Sequence, residues 1–403
     1  LSLDDYVAAG GYRGLRRAIE VGREAVIAEV TASGLLGRGG AAFPTGRKWA
    51  GVAAQSGQPH YTVCNADESE PGTFKDRVLM EEDPYAIVEA MTIEGLATDS
   101  SRGYLYIRAE YPLSAARMAH ALAIAREAGY LGADILGSGQ AFEIEIRRGA
   151  GAYVCGEETA LFNSIEGKRG EPRNKPPFPV ESGLFGRPTA VNNIETLVNI
   201  PGIVADGGAA FAALGTEGSR GPKLFCISGA VPHPGVYEVE FGASLGDLIT
   251  LAGGVSGGHE LRAVLLGGAS GVFVGPDALD LPLTFEATRA AGATIGSGVV
   301  MVFDDRVDIV ATLRRVAAFF RDESCGQCVP CRVGTVRQEE LLARLANGRP
   351  NGSADDELAL LADLGRAMRD ASICGLGQTA SSAIESAVRA GLVAFPGPAE
   401  ARA

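Results

Sequence analysis

The sequence lacks several features that would point to whole classes of protein. It has no apolar run of the roughly 18 residues that a membrane-spanning helix needs, so we expect no direct membrane span. Its 36 Lys and Arg against 49 Asp and Glu give a net charge of −13, which argues against a nucleic-acid partner because nucleic acid is a polyanion. The opening "LSLDDYVAAGGYRG" has no basic segment followed by an apolar one, so no export signal is expected.

Cysteine is also scarce, with seven residues in a chain of 403. An odd number of unevenly spaced cysteines does not suggest a secreted disulfide framework, so a reducing, cytoplasmic setting fits best. The length exceeds one comfortable hydrophobic core, and two or three domains are expected. Because the chain opens on Leu rather than Met, it is consistent with a processed protein or with a fragment of a longer one.

Three of the cysteines, Cys325, Cys328 and Cys331, lie close together in "ESCGQCVPCRVG". Free or disulfide-bonded thiols are one interpretation. Structural zinc is a second, although zinc usually takes two separated pairs of cysteines. A [4Fe–4S] cluster is the third: it needs four thiolates, and a C-x2-C-x2-C loop can supply three while a remote cysteine supplies the fourth. Cys374 is the one cysteine downstream, and the pattern favours the iron–sulfur cluster.

Helical patterns surround these four cysteines. The stretches "VRQEELLARL" and "DDELALLADLGRAM" lie between Cys331 and Cys374, and two antiparallel helices there would return Cys374 to the triplet. An apolar pattern from Val307 to Phe320 marks a helix that ends at the cluster, and "SSAIESAVRAGLVAF" predicts another after it. The C-terminal part of the chain is therefore expected to be a helical bundle.

A glycine-rich segment, "GLLGRGGAAFPTGRKW", is the first candidate for a phosphate-binding loop. Gly37, Gly39 and Ala42 match the dinucleotide fingerprint as a bare pattern, but that fingerprint requires a preceding strand. The preceding "REAVIAEVTASGLL" is helix-like, which argues against an ordinary Rossmann loop. Backbone N–H groups without side chains can still approach a phosphate closely, with Arg38 and Lys48 nearby.

Two more polar clusters follow strand-like segments. In "YTVCNADESEPGTFKDR", Asp67, Glu68 and Glu70 could accept hydrogen bonds from ribityl or ribose hydroxyls, or could form a solvated acidic turn. After the strand pattern "FEIEIRR", the segment "GAGAYVCGEETALFNSIEG" predicts a glycine turn that opens a helix near Glu157. Strand, turn and helix N-terminus favour a phosphate or flavin site, although Glu157 and Glu158 also suit the helix dipole.

A proline-rich loop follows in "NKPPFPVESGLFGRPTAVNNIETL". Its prolines predict an extended loop that presents Lys175 and Phe178. Asn192 and Asn193 precede a helix, either as caps or as ligands to a ring. Further on, "KLFCISGAVPHPGVYEVEFGASLGDLITLAGGV" predicts strand, turn, strand and a helix capped at Ser244, which is typical of a β-grasp-like module.

Five motifs in order resemble the NADH-oxidising flavoprotein subunit of respiratory complex I and its diaphorase relatives in NAD-linked formate dehydrogenases and bidirectional hydrogenases. These motifs are "GRGGAAFPTGRKW", "NADESEPGTFKDR", "AYVCGEETAL", "KPPFP…NNIET" and "SCGQCVPCR…SICGLG". The resemblance covers nearly the whole chain, from Gly34 to Phe395. It implies non-covalent FMN, NADH (or NAD⁺) stacked over it, hydride transfer between the two, and one-electron transfer to a [4Fe–4S] cluster.

The resemblance also implies a role for particular residues. Those expected to hold FMN are Gly37, Gly39, Lys48, Asn65, Asp67, Ser69, Tyr153, Gly156, Glu157, Asn192, Asn193 and Thr196. Those expected to contact NADH are Phe43, Glu68, Glu70, Glu158, Lys175 and Phe178, with the two phenylalanines on either side of the adenine. Glu158 is expected to serve catalysis as a positioning and electrostatic residue rather than as an acid or base. Cys325, Cys328, Cys331 and Cys374 are the expected cluster ligands.

Two positions depart from the family pattern. Gly51 lies two residues after Trp49, where complex I members can carry a second aromatic residue for the adenine, and Ala42 replaces a common Gly. Together with "CGLGQTA" in place of the more usual complex I ending, these departures favour the diaphorase subunit of an NAD-dependent formate dehydrogenase or hydrogenase over complex I. A non-catalytic electron-relay or scaffold protein is the alternative from a different class.

The implied partners are a thioredoxin-like [2Fe–2S] subunit and a larger iron–sulfur subunit, which would contain molybdenum in a formate dehydrogenase. The expected fold class is α/β. It consists of a Rossmann-like FMN- and NADH-binding domain at residues 1–215, a β-grasp (ubiquitin-like) domain at 222–304, and a helical bundle with the [4Fe–4S] cluster at 305–403.

Overall fold

In the computed structural model, which describes residues 2–395, contacts divide the chain into two units. Unit 1 takes in Leu1–Ser69, Thr73–Leu224 and Glu238–Gly242, and unit 2 takes in Glu70–Gly72, Phe225–Tyr237 and Ala243–Ala403. No helix among the described residues is both long and apolar enough to cross a membrane. The three-part division at 1–215, 222–304 and 305–403 stays a prediction.

Unit 1 alternates helices with short strands. Its helices are α1 (Leu3–Ala8), α2 (Arg13–Val21), α3 (Arg23–Ala32), α4 (Thr45–Ala53), α5 (Lys75–Glu82), α6 (Pro84–Ala97), α7 (Pro112–Glu127), α8 (Glu158–Ile165), α9 (Pro179–Ser182), α10 (Ile194–Val198), α11 (Ile200–Asp206) and α12 (Gly208–Ala212). Its strands are β1 (His60–Ala66), β2 (Ser100–Ile107), β3 (Glu143–Arg148) and β4 (Thr189–Asn193).

The four strands form one parallel sheet in the order β3-β2-β1-β4. The chain therefore steps outward from β1 to β3 and then returns to the other side of β1 with β4. In open parallel sheets the strand order reverses at such a point, and the carboxyl ends of the two strands that flank it form a crevice where ligands bind. Here that crevice lies between the ends of β1 and β4.

Helix α6 is buried on almost every side, since Leu96 is its one residue that is not buried. Two of its buried residues are acidic. Glu89 accepts hydrogen bonds from the Tyr6 hydroxyl at 2.5 Å and from the backbone N–H groups of Tyr12 and Leu15 at 2.6 and 2.9 Å. Because both of its oxygens accept hydrogen bonds, this carboxyl can be buried, and it ties the N-terminal helices to the sheet unit.

A second, mixed sheet has five strands. Its strands are β5 (Pro222–Gly229), β6 (Gly235–Glu240), β7 (Leu261–Leu266), β8 (Val272–Val274) and β9 (Val299–Asp304), in the order β6-β5-β9-β7-β8. The helices of unit 2 are α13 (Leu245–Leu251), α14 (Phe285–Ala290), α15 (Ile309–Glu323), α16 (Val329–Ala346), α17 (Ala354–Ala371), α18 (Gly375–Thr379) and α19 (Ser382–Arg389). Ser244 caps α13 with a reciprocal capping box to Asp247.

The α/β sheet unit, the small mixed sheet and the C-terminal helices confirm the expected fold class. Helix α3 precedes the first glycine loop, as the helix-like pattern there predicted. The sequence patterns did not indicate β2, β4, β8 and β9, and the segment that contains β4 was predicted as an extended loop. Short apolar runs of this kind cannot be distinguished from buried helix by periodicity alone, because they show no clear alternation between apolar and polar residues.

Candidate functional site

The carboxyl ends of β1 and β4 bring together side chains from distant parts of the sequence. Asn65 and Asn193 are partners in the parallel register of these two strands. Asn65 donates from Nδ2 to the Gly156 carbonyl at 2.9 Å, which links the end of β1 to the turn before α8. The crevice at the reversal point is therefore bordered by three of the predicted segments.

The glycine loop before α4 reaches the same edge. The backbone N–H of Arg38 donates to the Thr196 hydroxyl on α10 at 2.8 Å. A Cβ atom at Gly39 would lie 3.1 Å from Cβ of Asn193, tighter than ordinary contact, so glycine allows the loop to approach the end of β4. The N–H of Gly37 donates to the Phe43 carbonyl at 2.9 Å, which closes the loop.

Two cationic side chains, one buried and one partly buried, belong to this loop and to the helix that follows it. The Arg38 side chain is fully buried, and its Nη2 donates to the Arg220 carbonyl at 2.7 Å. Its Nε and Nη1 have no hydrogen-bond partner among the described residues. Lys48 on α4 is partly buried and donates from Nζ to the Val191 carbonyl of β4.

The turn after β1 is held by its own side chains. Asn65 accepts the Asp67 N–H at 3.1 Å, and the Ser69 hydroxyl donates to Oδ2 of Asp67 at 2.5 Å. A Cβ atom at Gly156 would lie 3.4 Å from this same Oδ2. The Asp67 carboxylate thus faces exposed backbone at Gly156.

The predicted helix at Glu157 is α8, and Glu157 is its N-cap. The residues Tyr153–Gly156 form a 3-10 turn before it. The Glu157 carboxylate accepts the N–H groups of Thr159 and Ala160 at 2.8 and 2.9 Å, and its other oxygen accepts from Lys175 Nζ at 3.0 Å.

Lys175 is shared between two carboxylates. Its Nζ lies 2.6 Å from Oε1 of Glu158 and 3.0 Å from Oε1 of Glu157. Burial acts to lower the pKa of Lys175, but the charges of Glu158 and Glu157 outweigh it and raise that pKa above its usual value. Lys175 is therefore a charged group at the mouth of the crevice, fixed by two partners.

A buried ion network, which no sequence pattern indicated, lies beside Asn193. Lys75 Nζ contacts Asp76 at 2.7 Å and Glu195 at 3.0 Å, and Lys223 Nζ contacts Glu195 at 2.8 Å. Asn193 donates from Nδ2 to Asp76 at 2.6 Å and also caps α10. The amide of Asn193 is thereby oriented by charged groups that look, in the sequence, like ordinary surface charges.

Two acidic residues expected to contact NADH have their oxygens bonded within the protein. Glu68 accepts the N–H groups of Asp76 and Arg77 at 2.8 and 2.9 Å, together with the hydroxyls of Thr73 and Tyr111. It therefore caps the first turn of α5. Burial raises the pKa of Glu68 to about 7.

Glu70 belongs to unit 2. There its carboxylate accepts the N–H and the hydroxyl of Ser270, each at 2.7 Å.

The two phenylalanines expected to flank adenine are exposed. Phe43 is 45% and Phe178 is 53% exposed, so both rings are accessible for stacking on a ligand. Ala42, the residue in place of a common Gly, has φ of +52°, the left-handed region that glycine favours. Gly51 lies on α4, where a Cβ atom would be 3.7 Å from Cβ of Val180.

A phosphate-bearing, hydroxyl-rich ligand fits this edge of the sheet. The exposed backbone of Gly39 and Gly40, the Lys48 ammonium and the unpaired nitrogens of Arg38 supply positive character. The Asp67 carboxylate supplies an acceptor for hydroxyl groups.

The four predicted cluster cysteines come together in unit 2. Cys328 is the N-cap of α16 and Cys374 is the N-cap of α18, so each helix begins at a thiol. Burial raises the pKa of Cys331 to about 11, and the thiols of Cys328, Cys374 and Cys325 add to that increase. Those three side chains therefore lie close enough to Cys331 to act on it.

The donor set and its surroundings fit an iron–sulfur cluster. Four thiols are the ligands that such a cluster requires. A Cβ atom at Gly377 would lie 2.8 Å from Cβ of Cys331, so glycine permits α18 to pack against this cysteine. Ser324 lies 3.3 Å from the Cys331 sulfur and is a polar neighbour of the site.

Glu94 was not among the predicted site residues, yet its carboxyl is fully buried and accepts a hydrogen bond from Asn192 Nδ2 at 2.5 Å. One signal was present in the sequence: Glu89 and Glu94 interrupt an otherwise apolar run, "PYAIVEAMTIEGLA". A charge inside such a run is a buried charge that needs partners.

Three known protein families match successive parts of the chain. Residues 30–202 match the Nuo51 FMN-binding domain. Residues 223–292 match the SLBB domain, and residues 311–391 match the NADH-ubiquinone oxidoreductase-F iron–sulfur binding region.

Individual relatives cover most of the chain. The F 2 subunit of NADH-quinone oxidoreductase from Rhizobium meliloti (strain 1021) is 44% identical over 96% of this chain and 92% of that protein. The HndC subunit of the NADP-reducing hydrogenase from Solidesulfovibrio fructosivorans is 44% identical over 96% of this chain and 78% of that protein.

A solved structure has the same fold. The crystal structure of NAD⁺-reducing [NiFe]-hydrogenase in the H2-reduced state matches with a TM-score of 0.84 and 42% identity over 91% of this chain, and the match spans 61% of the hydrogenase chain. The chain therefore belongs to the family of NADH-quinone oxidoreductase F subunits, which are NADH-oxidising flavoproteins with FMN and a [4Fe–4S] cluster.

Proposed function

We propose that this chain oxidises NADH at the crevice between β1 and β4 and passes the electrons, through the cysteine site, to a partner subunit. The observation that carries this proposal is the convergence of the glycine loop, the ends of β1 and β4 and the N-terminus of α8 on one edge of the sheet. FMN bound at this edge would accept two electrons from NADH and pass them on one at a time.

The residues proposed to hold FMN fall into two groups. On the phosphate side, the backbone of Gly37 and Gly39 and the ammonium of Lys48 would provide donors and positive charge. Asn193 and Thr196 contact the loop, and Asn192 precedes Asn193 in β4. On the ring and ribityl side, Asn65, Asp67 and Ser69 lie opposite the turn Tyr153–Gly156 and the Glu157 cap.

NADH is proposed to enter between the two exposed phenylalanines, Phe43 and Phe178, which would stack on adenine. Lys175 and Glu158 would then orient the dinucleotide through their charges. Hydride transfer itself needs no protein acid or base, so the role of these residues is to hold the reacting rings at contact distance. Glu68 and Glu70 remain predicted NADH contacts, and their present hydrogen bonds would have to be exchanged for such a role.

The four cysteines Cys325, Cys328, Cys331 and Cys374 are proposed to ligate the cluster. Their thiolates would have to form on binding, and a cluster that joins the starts of α16 and α18 would cross-link the helical region.

Anaerobic addition of NADH to the FMN-loaded full chain tests the proposal. We expect the visible absorbance of the flavin to bleach, because NADH would reduce it directly. A flavin-loaded protein that does not bleach would instead favour a non-catalytic electron-relay or scaffold subunit.

We also propose that the partners are those of an NAD-dependent formate dehydrogenase: a thioredoxin-like [2Fe–2S] subunit and a larger, molybdenum-containing iron–sulfur subunit in the cytoplasm. Gly51 and Ala42 support this choice over complex I, because both depart from the complex I pattern. Gly51 lies on α4 where complex I members can carry a second aromatic residue, and Ala42 replaces a common Gly next to Phe43. Copurification of the native assembly is the test. A nickel-containing partner would indicate an NAD-linked hydrogenase, and membrane subunits would indicate complex I.

A further inference from the structure

Glu94 occupies an unusual position for a carboxyl group. It lies near the C-terminal end of α6, its side chain is fully buried, and Asn192 Nδ2 donates to its Oε1 at 2.5 Å. The second oxygen, Oε2, has no hydrogen bond of ordinary geometry among the described residues, although the indole N–H of Trp49 lies near enough to act on the carboxyl. A buried carboxylate whose donors are neutral is poorly solvated, so this environment favours the neutral acid.

The neighbours of Glu94 are residues that the proposed function places on the phosphate side of FMN. Asn192 lies in β4 one residue before Asn193, and Lys48 on α4 donates to the carbonyl of Val191, the residue before Asn192. The titratable groups that face Glu94 are Lys48 from α4 and Cys64 from β1. Of these, Lys48 is the one cation.

We propose that Glu94 is a positioning residue that acts as a proton switch for FMN affinity, holding Asn192 in place as the neutral acid and opposing the cofactor phosphate when it ionises. This inference rests on the proposed function, because it takes Lys48 and Asn192 to line the phosphate side. As the neutral acid, Glu94 leaves the positive charge of Lys48 available to the phosphate. As the carboxylate, Glu94 places a negative charge beside Lys48, and this charge offsets the positive charge of Lys48.

The direction of the pH effect follows from the electrostatics. Burial raises the pKa of Glu94 to about 8, and the Asn192 hydrogen bond, the Lys48 charge and the Trp49 indole offset this increase only in part. A bound phosphate, being negative, would raise the pKa of Glu94 further. FMN binding would then take up a proton above about pH 8, and FMN affinity should fall by up to about tenfold per pH unit there.

The test measures the FMN dissociation constant of the full-length chain by flavin fluorescence between about pH 7 and pH 9. We expect the dissociation constant of the wild type to rise above about pH 8, and that of Glu94→Gln to change less than about threefold across the range, because the amide cannot ionise. Glu89→Gln is the matched control, since Glu89 is a second buried acid on α6 whose partners are Tyr6, Tyr12 and Leu15. It should retain the pH dependence of the wild type.

Two results would overturn the inference. One is a Glu94→Gln variant with the same pH dependence as the wild type. The other needs no variant: calorimetric titration of wild-type protein with FMN at about pH 8.5, in two buffers of different ionisation enthalpy, should show net proton uptake, and zero uptake would contradict the proposal.

Lys48→Met separates this inference from the proposed function. If Lys48 faces the phosphate, the variant should bind FMN more weakly at every pH. An unchanged FMN dissociation constant in Lys48→Met would refute the assignment of the phosphate side itself. If Lys48→Met binds FMN more weakly but the FMN dissociation constant of Glu94→Gln still depends on pH as in the wild type, only the role of Glu94 is refuted.

Discussion

The Nζ of Lys175 donates to Oε1 of Glu158 over 2.6 Å, although the two residues are 17 positions apart in the sequence. Each side chain is 31% exposed, so the pair is accessible to a ligand while remaining ordered by its own ion pair. A charged pair at the rim of a crevice can orient a dinucleotide. The contribution of each residue of the pair can be measured separately by substituting one of them.

Glu158→Gln should raise the KM for NADH by roughly tenfold, equivalent to ~1.4 kcal/mol, while the flavin absorbance persists. The amide removes the negative charge but leaves Lys175 paired with Glu157. Steady-state kinetics with an artificial acceptor provide the measurement. Glu145→Gln is the control, because Glu145 forms a surface pair with Arg147 at 2.8 Å. Loss of flavin from Glu158→Gln would show that Glu158 serves FMN rather than NADH.

Phe178→Ala should raise the KM for NADH by about three- to tenfold with little change in kcat, because aromatic stacking contributes about 0.5–1.5 kcal/mol. The matched control is Phe185→Ala, a similarly exposed phenylalanine at 46% that packs against Tyr61 and Tyr104. Phe185→Ala should leave the KM unchanged. Equal effects of the two variants would argue against a specific stacking position at Phe178.

Cys374→Ala should damage the cluster and leave the flavin reaction intact. One of four thiols would be lost, so a three-iron or incomplete cluster is expected, with loss of electron delivery to the partner. NADH oxidation by ferricyanide should survive. The measurement is electron paramagnetic resonance of the dithionite-reduced protein.

Cys226→Ala provides the control for Cys374→Ala, because Cys226 is a buried cysteine on β5. The electron paramagnetic resonance signal of the [4Fe–4S] cluster in Cys226→Ala should equal that of the wild type. An unaltered [4Fe–4S] signal in Cys374→Ala would mean that another residue completes the ligand set.

Glu68→Ala should lower the free energy of unfolding by about 2 kcal/mol, because it removes the cap of α5 and leaves buried N–H and hydroxyl donors without an acceptor. Urea denaturation gives the measurement. Glu127→Ala, at the exposed end of α7, should change stability by less than about 0.5 kcal/mol. A stable Glu68→Ala variant with a raised KM for NADH would favour the predicted NADH contact over the capping role.

Local sequence patterns were sufficient to predict the helices around the cluster cysteines, the strand and turn before α8, and the Ser244 cap. Each of these signals involves residues within a few positions of one another, so helical spacing, strand alternation or capping chemistry reports them directly. The cysteine triplet and the ordered motifs then identified the family, because metal-ligand spacing and glycine loops are also local features.

The tertiary structure alone placed Asn65 beside Asn193 and Glu94 beside Asn192, because the packing of β1, β4 and α6 joins segments roughly a hundred residues apart. The same is true of Lys75, whose buried contacts with Asp76 and Glu195 give it a role that a charged residue in sequence does not suggest. Whether a charge is buried depends on which elements pack over it, and strand order is a property of the whole chain that no local pattern encodes.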